Sequence, residues 1–252
     1  MHTLLWFLYF WLYLLAVLPL YWRVKALARR GDTGRHDALT RRVVGRWARR
    51  MLWAACAKVE VDGLENLPQG PAVYVANHQG YFDIPTVLGY LGDDTKPMVA
   101  KKEIDRIPLI RAWMRQLHCV FLDRENPRSA VATLNEAAKW VGAGYSMVVF
   151  PEGTRSKTGE VAEFKAGAFK IAQKNKAPVV PFVIDGTAEL MERNHYFIHG
   201  GRVRLRVLPA IDTSGYAKED WRALPALCEA RVRLGLAALR AEQVAPRPPQ
   251  GA

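Results

Sequence analysis

The chain has 252 residues, half of them hydrophobic, which is enough for one α/β core with a small appendage and too apolar for a disordered polypeptide. Its formal net charge of +12 is concentrated, since residues 23–60 hold eleven Lys and Arg against three acids; such a block points to an anionic surface, membrane or nucleic acid. Cys56, Cys119 and Cys228 are widely spaced and form no CxxC pair, so neither a metal ribbon nor a disulfide framework is implied, and reduced core thiols of a cytosol-facing domain are expected.

Thr3 to Trp22 carries no charged side chain and is rich in Trp and Tyr. As one helix it would be about 30 Å long, the thickness of a bilayer's hydrocarbon core. A signal peptide fits less well, because no basic residue precedes the apolar run and no small-residue cleavage site follows it. Arg23, Lys25, Arg29 and Arg30 come next, which by the positive-inside rule puts the remainder in the cytoplasm. After a turn at Gly31-Asp32-Thr33-Gly34, a second helix is expected over Leu39–Ala57. There Leu39, Val43, Trp47, Met51 and Ala55 recur every four residues among Arg41, Arg42, Arg46, Arg49 and Arg50. This reads as a basic amphipathic helix on an anionic lipid surface, with packing on the body of the protein as the alternative. Residues 1–57 are thus expected to anchor to a membrane, 58–243 to form the globular domain, and Val244 to Ala252, with three prolines, to be a disordered tail.

The body alternates strand and helix signals, as a largely parallel α/β sheet flanked by helices does. Strands are predicted at Lys58–Val61, Ala72–Ala76, Pro97–Ala100, Cys119–Leu122, Met147–Phe150, Val179–Ile184 and Arg202–Leu208. Helices are predicted at Ile84–Leu91, Ile107–Leu117, Pro127–Val141, Lys165–Asn175 and Ala223–Gln243. The junction after Ala72–Ala76 stands out. His78 and Asp83 lie between a strand's carboxyl end and a helix for which Asp83 is a candidate N-cap, the place where open α/β sheets put ligands. A carboxylate that accepts from one imidazole nitrogen leaves the other free as a base; the plainer alternative is a strand end and a helix cap. Three further strands end in charge: Ala100-Lys101-Lys102-Glu103, Phe121-Leu122-Asp123-Arg124, and Phe150 followed by Pro151-Glu152-Gly153-Thr154-Arg155-Ser156. Cations at several strand ends beside a His–Asp pair describe an anion-binding cleft, because Arg makes paired hydrogen bonds to phosphate. No residues show metal-ligand spacing along the chain.

Asn77-His78 with Asp83 forms NHxxxxD, and Phe150 to Ser156 reads FPEGTRS. With Phe121-Leu122-Asp123-Arg124 and Val180-Pro181-Phe182-Val183 these resemble the four ordered blocks of the PlsC-type glycerolipid acyltransferases, the 1-acyl-sn-glycerol-3-phosphate acyltransferases, over residues 58–210. One departure is His118, where the second block usually opens with Gly. The resemblance implies a glycerol-3-phosphate acyltransferase-like fold and an acyl transfer from acyl-CoA or acyl carrier protein to the free sn-2 hydroxyl of the lysolipid, without an acyl-enzyme. It implies His78 as general base oriented by Asp83, with Arg124, Glu152, Gly153, Thr154 and Arg155 binding glycerol phosphate, Lys101 as a further phosphate ligand, and Pro181 shaping the cleft or acyl channel. It implies no metal, no cofactor and no nucleic-acid partner, and a place at the inner membrane of a bacterium. Another lysolipid acceptor, such as a lyso-ornithine lipid, keeps the same chemistry; a basic nucleic-acid binder or a silent membrane scaffold are the readings from other classes.

Overall fold

The computed structural model describes residues 1–244. These residues form seven strands: β1 (Ala57–Asp62), β2 (Val73–Ala76), β3 (Val99–Lys101), β4 (Val120–Leu122), β5 (Met147–Val149), β6 (Val179–Asp185) and β7 (Gly201–Val207). Each lies within two residues of its predicted bounds. Eight α-helices accompany them: α1 (His2–Ala16), α2 (Leu18–Arg29), α3 (Thr33–Ala54), α4 (Asp83–Tyr90), α5 (Pro108–Gln116), α6 (Pro127–Gly142), α7 (Lys170–Asn175) and α8 (Lys218–Val244). The helix expected from Lys165 begins instead as a 3-10 turn over Ala166–Phe169. Of the expected tail, Val244 closes α8 and residues 245–252 lie outside the described residues.

The main sheet runs β1-β7-β6-β2-β5. β2 is parallel to β5 and β6, and β1 to β7, while β6 and β7 are antiparallel. The parallel pair β3-β4 joins the β5 edge through a bridge between Met98 and Val148. The sheet is therefore largely parallel, as the β-strand and helix alternation predicts. Period-two alternation sends the side chains of one strand into two cores. Tyr74 and Ala76 face a layer built with α1–α5, whereas Val73 and Val75 face the layer of α6, α7 and α8.

The N-terminal segment departs from expectation. The uncharged run is two helices, broken at Val17 with a bend of 43°. Pro19, in the first turn of α2, cannot donate the backbone hydrogen bond a continuous helix needs, and its ring would clash one turn back. Among the described residues no single helix is long and apolar enough to cross a membrane; the bent pair meets that length and composition only together. The apolar stripe of α3 is likewise not laid on a surface outside the protein. Val43, Ala48, Met51 and Leu52 are buried in the core, with α3 packed closely on α4 at Gly45 and Gly89, and its exposed side carries Arg41, Arg42, Arg46, Arg49 and Arg50. Packing on the body, the alternative reading, is what occurs. Of the three thiols, Cys119 and Cys228 are buried but Cys56 is exposed.

Candidate active site

Parallel β2, β5 and β6 end at one edge of the sheet. Asn77-His78, Phe150–Ser156 and Asp185-Gly186-Thr187 therefore emerge side by side, and the ends of β3 and β4, with Lys101 and Arg124, face the same way. Asn77 fastens this edge. Its amide donates to the Ile184 carbonyl at 2.7 Å and accepts from the Ile184 N–H at 3.0 Å, extending the β2–β6 pairing past the strand end.

His78 Nδ1 lies 2.6 Å from Asp83 Oδ2. The Asp83 side chain is fully buried, and its oxygens are well supplied. Oδ2 also accepts the N–H groups of Gln79 (2.7 Å) and Gly80 (3.0 Å), and Oδ1 accepts the Thr187 hydroxyl. Asp83 is thus not the expected N-cap. Phe82 occupies that position, and the Asp83 carboxylate reaches back over the turn that carries His78. A carboxylate only accepts, so the proton sits on Nδ1 and the lone pair on Nε2, which has no hydrogen-bond partner among the described residues. Phe150 stacks on the imidazole at 4.2 Å and 20°, and the ring remains partly open to solvent at 17%.

The FPEGTRS loop grips the same residue. The His78 N–H donates to Glu152 Oε1 at 2.9 Å, and the His78 carbonyl accepts the Ser156 N–H at 2.8 Å. Glu152 is buried, and its second oxygen accepts the Ala162 N–H at 3.2 Å. Burial pushes this carboxyl above the usual range, opposed by the His78 hydrogen bond. Gly153 turns the loop at φ 74°, in the left-handed region that favours glycine. Thr154 is exposed beside it. Arg155 is held over the Tyr81 ring at 3.8 Å, donates to the Tyr81 hydroxyl at 3.2 Å and pairs with Glu192 at 3.0 Å.

Lys101 and Arg124 are exposed at the outer end of this edge, Lys101 paired with Glu103 at 3.0 Å. Pro181 is buried inside β6 opposite Val75, four residues before the strand ends at Asp185. His118 lies away from it, before β4 and so at the amino end of the strands.

Three contributors escape the sequence reading. Thr187 and Glu192 meet the motif from 104 and 111 positions away, a separation with no local pattern. Gln79 joins them, accepting the Gly186 N–H at 3.1 Å and donating to Asp185 at 3.3 Å. Only the rule that strand ends share an edge would have flagged Asp185-Gly186-Thr187. Glu192 also accepts the Tyr81 N–H at 2.6 Å, and burial raises its carboxyl.

A family model described as acyltransferase matches residues 58–185, just over half the chain. The chain belongs to the acyltransferase family. The matched region runs from β1 through the His78–Asp83 turn and the FPEGTRS loop to the end of β6. The 1-acyl-sn-glycerol-3-phosphate acyltransferase of Haemophilus influenzae is 32% identical over 192 residues, 74% of this chain and 77% of that one. A chloroplastic 1-acyl-sn-glycerol-3-phosphate acyltransferase of Brassica napus is 44% identical over 147 residues, 56% of this chain. The match spans only 42% of that relative, less than half its length. The crystal structure of the 1-acyl-sn-glycerophosphate acyltransferase PlsC from Thermotoga maritima is similar with a TM-score of 0.76 at 30% identity, covering 96% of this chain and 98% of that one. The acyltransferase fold thus extends to the N-terminal helices and α8, beyond the matched region.

Proposed function

We propose that this acyltransferase moves a fatty acyl group from acyl-CoA or acyl carrier protein to the sn-2 hydroxyl of 1-acyl-sn-glycerol 3-phosphate, giving phosphatidate. The observation that carries the reading is the 2.6 Å contact from His78 Nδ1 to a buried, multiply bonded Asp83, which leaves Nε2 as a base at the open strand edge. Nε2 takes the hydroxyl proton as the oxygen attacks the thioester carbonyl. The tetrahedral intermediate collapses with loss of the thiolate, which recovers that proton from the imidazolium. Asp83 stabilises the imidazolium meanwhile and keeps the ring in one tautomer. A thioester is already activated, so neither a Ser nor a Cys nucleophile is needed.

Glu152 acts as a positioning residue, because both its oxygens hold backbone N–H groups, one of them that of His78. Arg155, Lys101 and Arg124 remain the cations for the acceptor's phosphate, with Thr154 and the turn at Gly153 beside them. Arg155 is the most firmly placed, clamped between Tyr81 and Glu192. Work at a membrane surface fits an acceptor with one acyl chain and an anionic head. The exposed Leu4, Leu5, Leu8, Leu12 and Leu15 of α1 and the arginines of α3 support docking there.

Thiol release from acyl-CoA, measured with a panel of lysolipids, tests this. Lysophosphatidate is expected as the preferred acceptor, with His78→Ala lowering kcat/KM by about a thousandfold and Arg155→Ala acting mainly on the KM for that acceptor. Turnover confined to an acceptor without a phosphate monoester rejects the assignment.

A further inference from the structure

Far from the reaction edge, three side chains converge that no spacing in the sequence connects. His36 and Asp37 stand in the first turns of α3, and His118 follows α5. Their ligand atoms all lie within 4.8 Å of one another. His36 Nδ1 is 2.8 Å from Asp37 Oδ1, and His118 Nε2 is 3.8 Å from the same oxygen.

One ring nitrogen of this group, His118 Nε2, is buried with no hydrogen-bond partner among the described residues. The atom facing His36 Nε2, at 3.1 Å, is the side-chain oxygen of Gln116, which only accepts. With the Gln116 oxygen facing it, a neutral His36 carries its proton on Nε2 and aims its Nδ1 lone pair at a carboxylate oxygen. That arrangement is repulsive unless a cation lies between them. Turning the Gln116 amide, or adding a second proton to His36, satisfies that contact but leaves His118 Nε2 without a partner among the described residues. A metal ion satisfies both rings at once.

We propose that His36, Asp37 and His118 form a divalent-cation site, suited to Zn2+, that staples α3 to the segment joining α5 and β4. Two imidazoles and one carboxylate are the ligand chemistry zinc favours; its tetrahedral ligands stand about 3.3 Å apart, a spacing bracketed by the two contacts to Asp37, and the two rings, within 4.8 Å, draw together on binding. The surroundings are those of a metal centre. Gln116 takes the outer N–H of His36, and the Tyr145 hydroxyl donates to Asp37 Oδ2 at 2.7 Å, fixing the far oxygen. Trp140 stacks on His118 at 4.0 Å and Tyr145 meets it edge-on at 4.6 Å, which immobilises the ring. His118 does this at φ 59°, a conformation side chains other than glycine rarely adopt. The position at the amino end of β4 makes the ion a clamp between segments, remote from the acyl-transfer edge.

Untagged full-length protein in detergent, stripped with a chelator, tests the proposal by calorimetric titration with Zn2+ and by absorption with Co2+. One equivalent is expected to bind, with a visible Co2+ band. At a hundredfold excess over Kd, Tm is expected to rise by about 5–10 °C. His118→Gly, which suits the left-handed backbone, and His36→Gln are each expected to lose at least a hundredfold in Zn2+ affinity. Tm of the metal-free variants reports separately on folding. Absence of saturable binding to the parent protein, or equal affinity in parent and both variants, overturns the site.

Discussion

The imidazole of His78 is positioned by groups that the motif itself does not contain. Asp83 is held by two N–H groups of its own turn, but its other oxygen depends on Thr187, brought from the end of β6. A buried carboxylate oxygen left without its donor is costly, so Asp83 would be held less firmly against His78 without that hydroxyl. Thr187→Val keeps the shape and removes the donor. It is expected to lower kcat about tenfold with little effect on KM, while Thr187→Ser restores kcat. A kcat within twofold of the parent would show that Thr187 is only a packing residue. Glu152 shows how far a motif can be read. FPEGTRS marked it as a site residue, expected to bind glycerol phosphate, but its bonds run to the backbone of His78 and Ala162, and only the fold reveals them.

At the level of elements, the predicted strands were legible because short apolar, β-branched runs bounded by Gly, Pro or charge leave little else to form. Register and neighbours were not. The β2–β6 pairing that delivers Thr187 joins segments about a hundred residues apart, and the antiparallel β7 beside β6 has no local signature. Gly186 makes the turn from β6 to Thr187 at φ 90°, where an added Cβ would collide with the Arg202 carbonyl oxygen of β7. Gly186→Ala is therefore expected to cost roughly 2–3 kcal/mol, a fall in Tm of about 5–10 °C, and to reduce turnover by displacing Thr187. A thermal melt superimposable on the parent's would contradict that reading. The helix break at Val17 belongs to the same scale, since a long apolar run suggests one span until the proline in its sequence is given its steric weight.

For the molecule as a whole, α1 is apolar all round. Trp6 and Leu14 are buried against the protein, while Leu4, Leu5, Leu8, Trp11, Leu12 and Leu15 are left exposed. An apolar face of this size beside the arginines of α3 is suited to a lipid surface. The double change Leu8→Glu with Leu12→Glu is expected to weaken sedimentation with anionic vesicles more than tenfold, without lowering Tm, because neither side chain is buried. Unchanged vesicle binding would assign the face another partner.

The order of apolar runs, the His78–Asp83 spacing and the FPEGTRS loop were determined by the sequence alone, because strand formation and motif chemistry are local properties. The tertiary structure decided which side of α3 is buried, which donor completes Asp83, what holds Arg155, and that His36, Asp37 and His118 meet. Each of these depends on contacts between segments distant along the chain, and such contacts arise only when the sheet order has set which strand ends lie side by side.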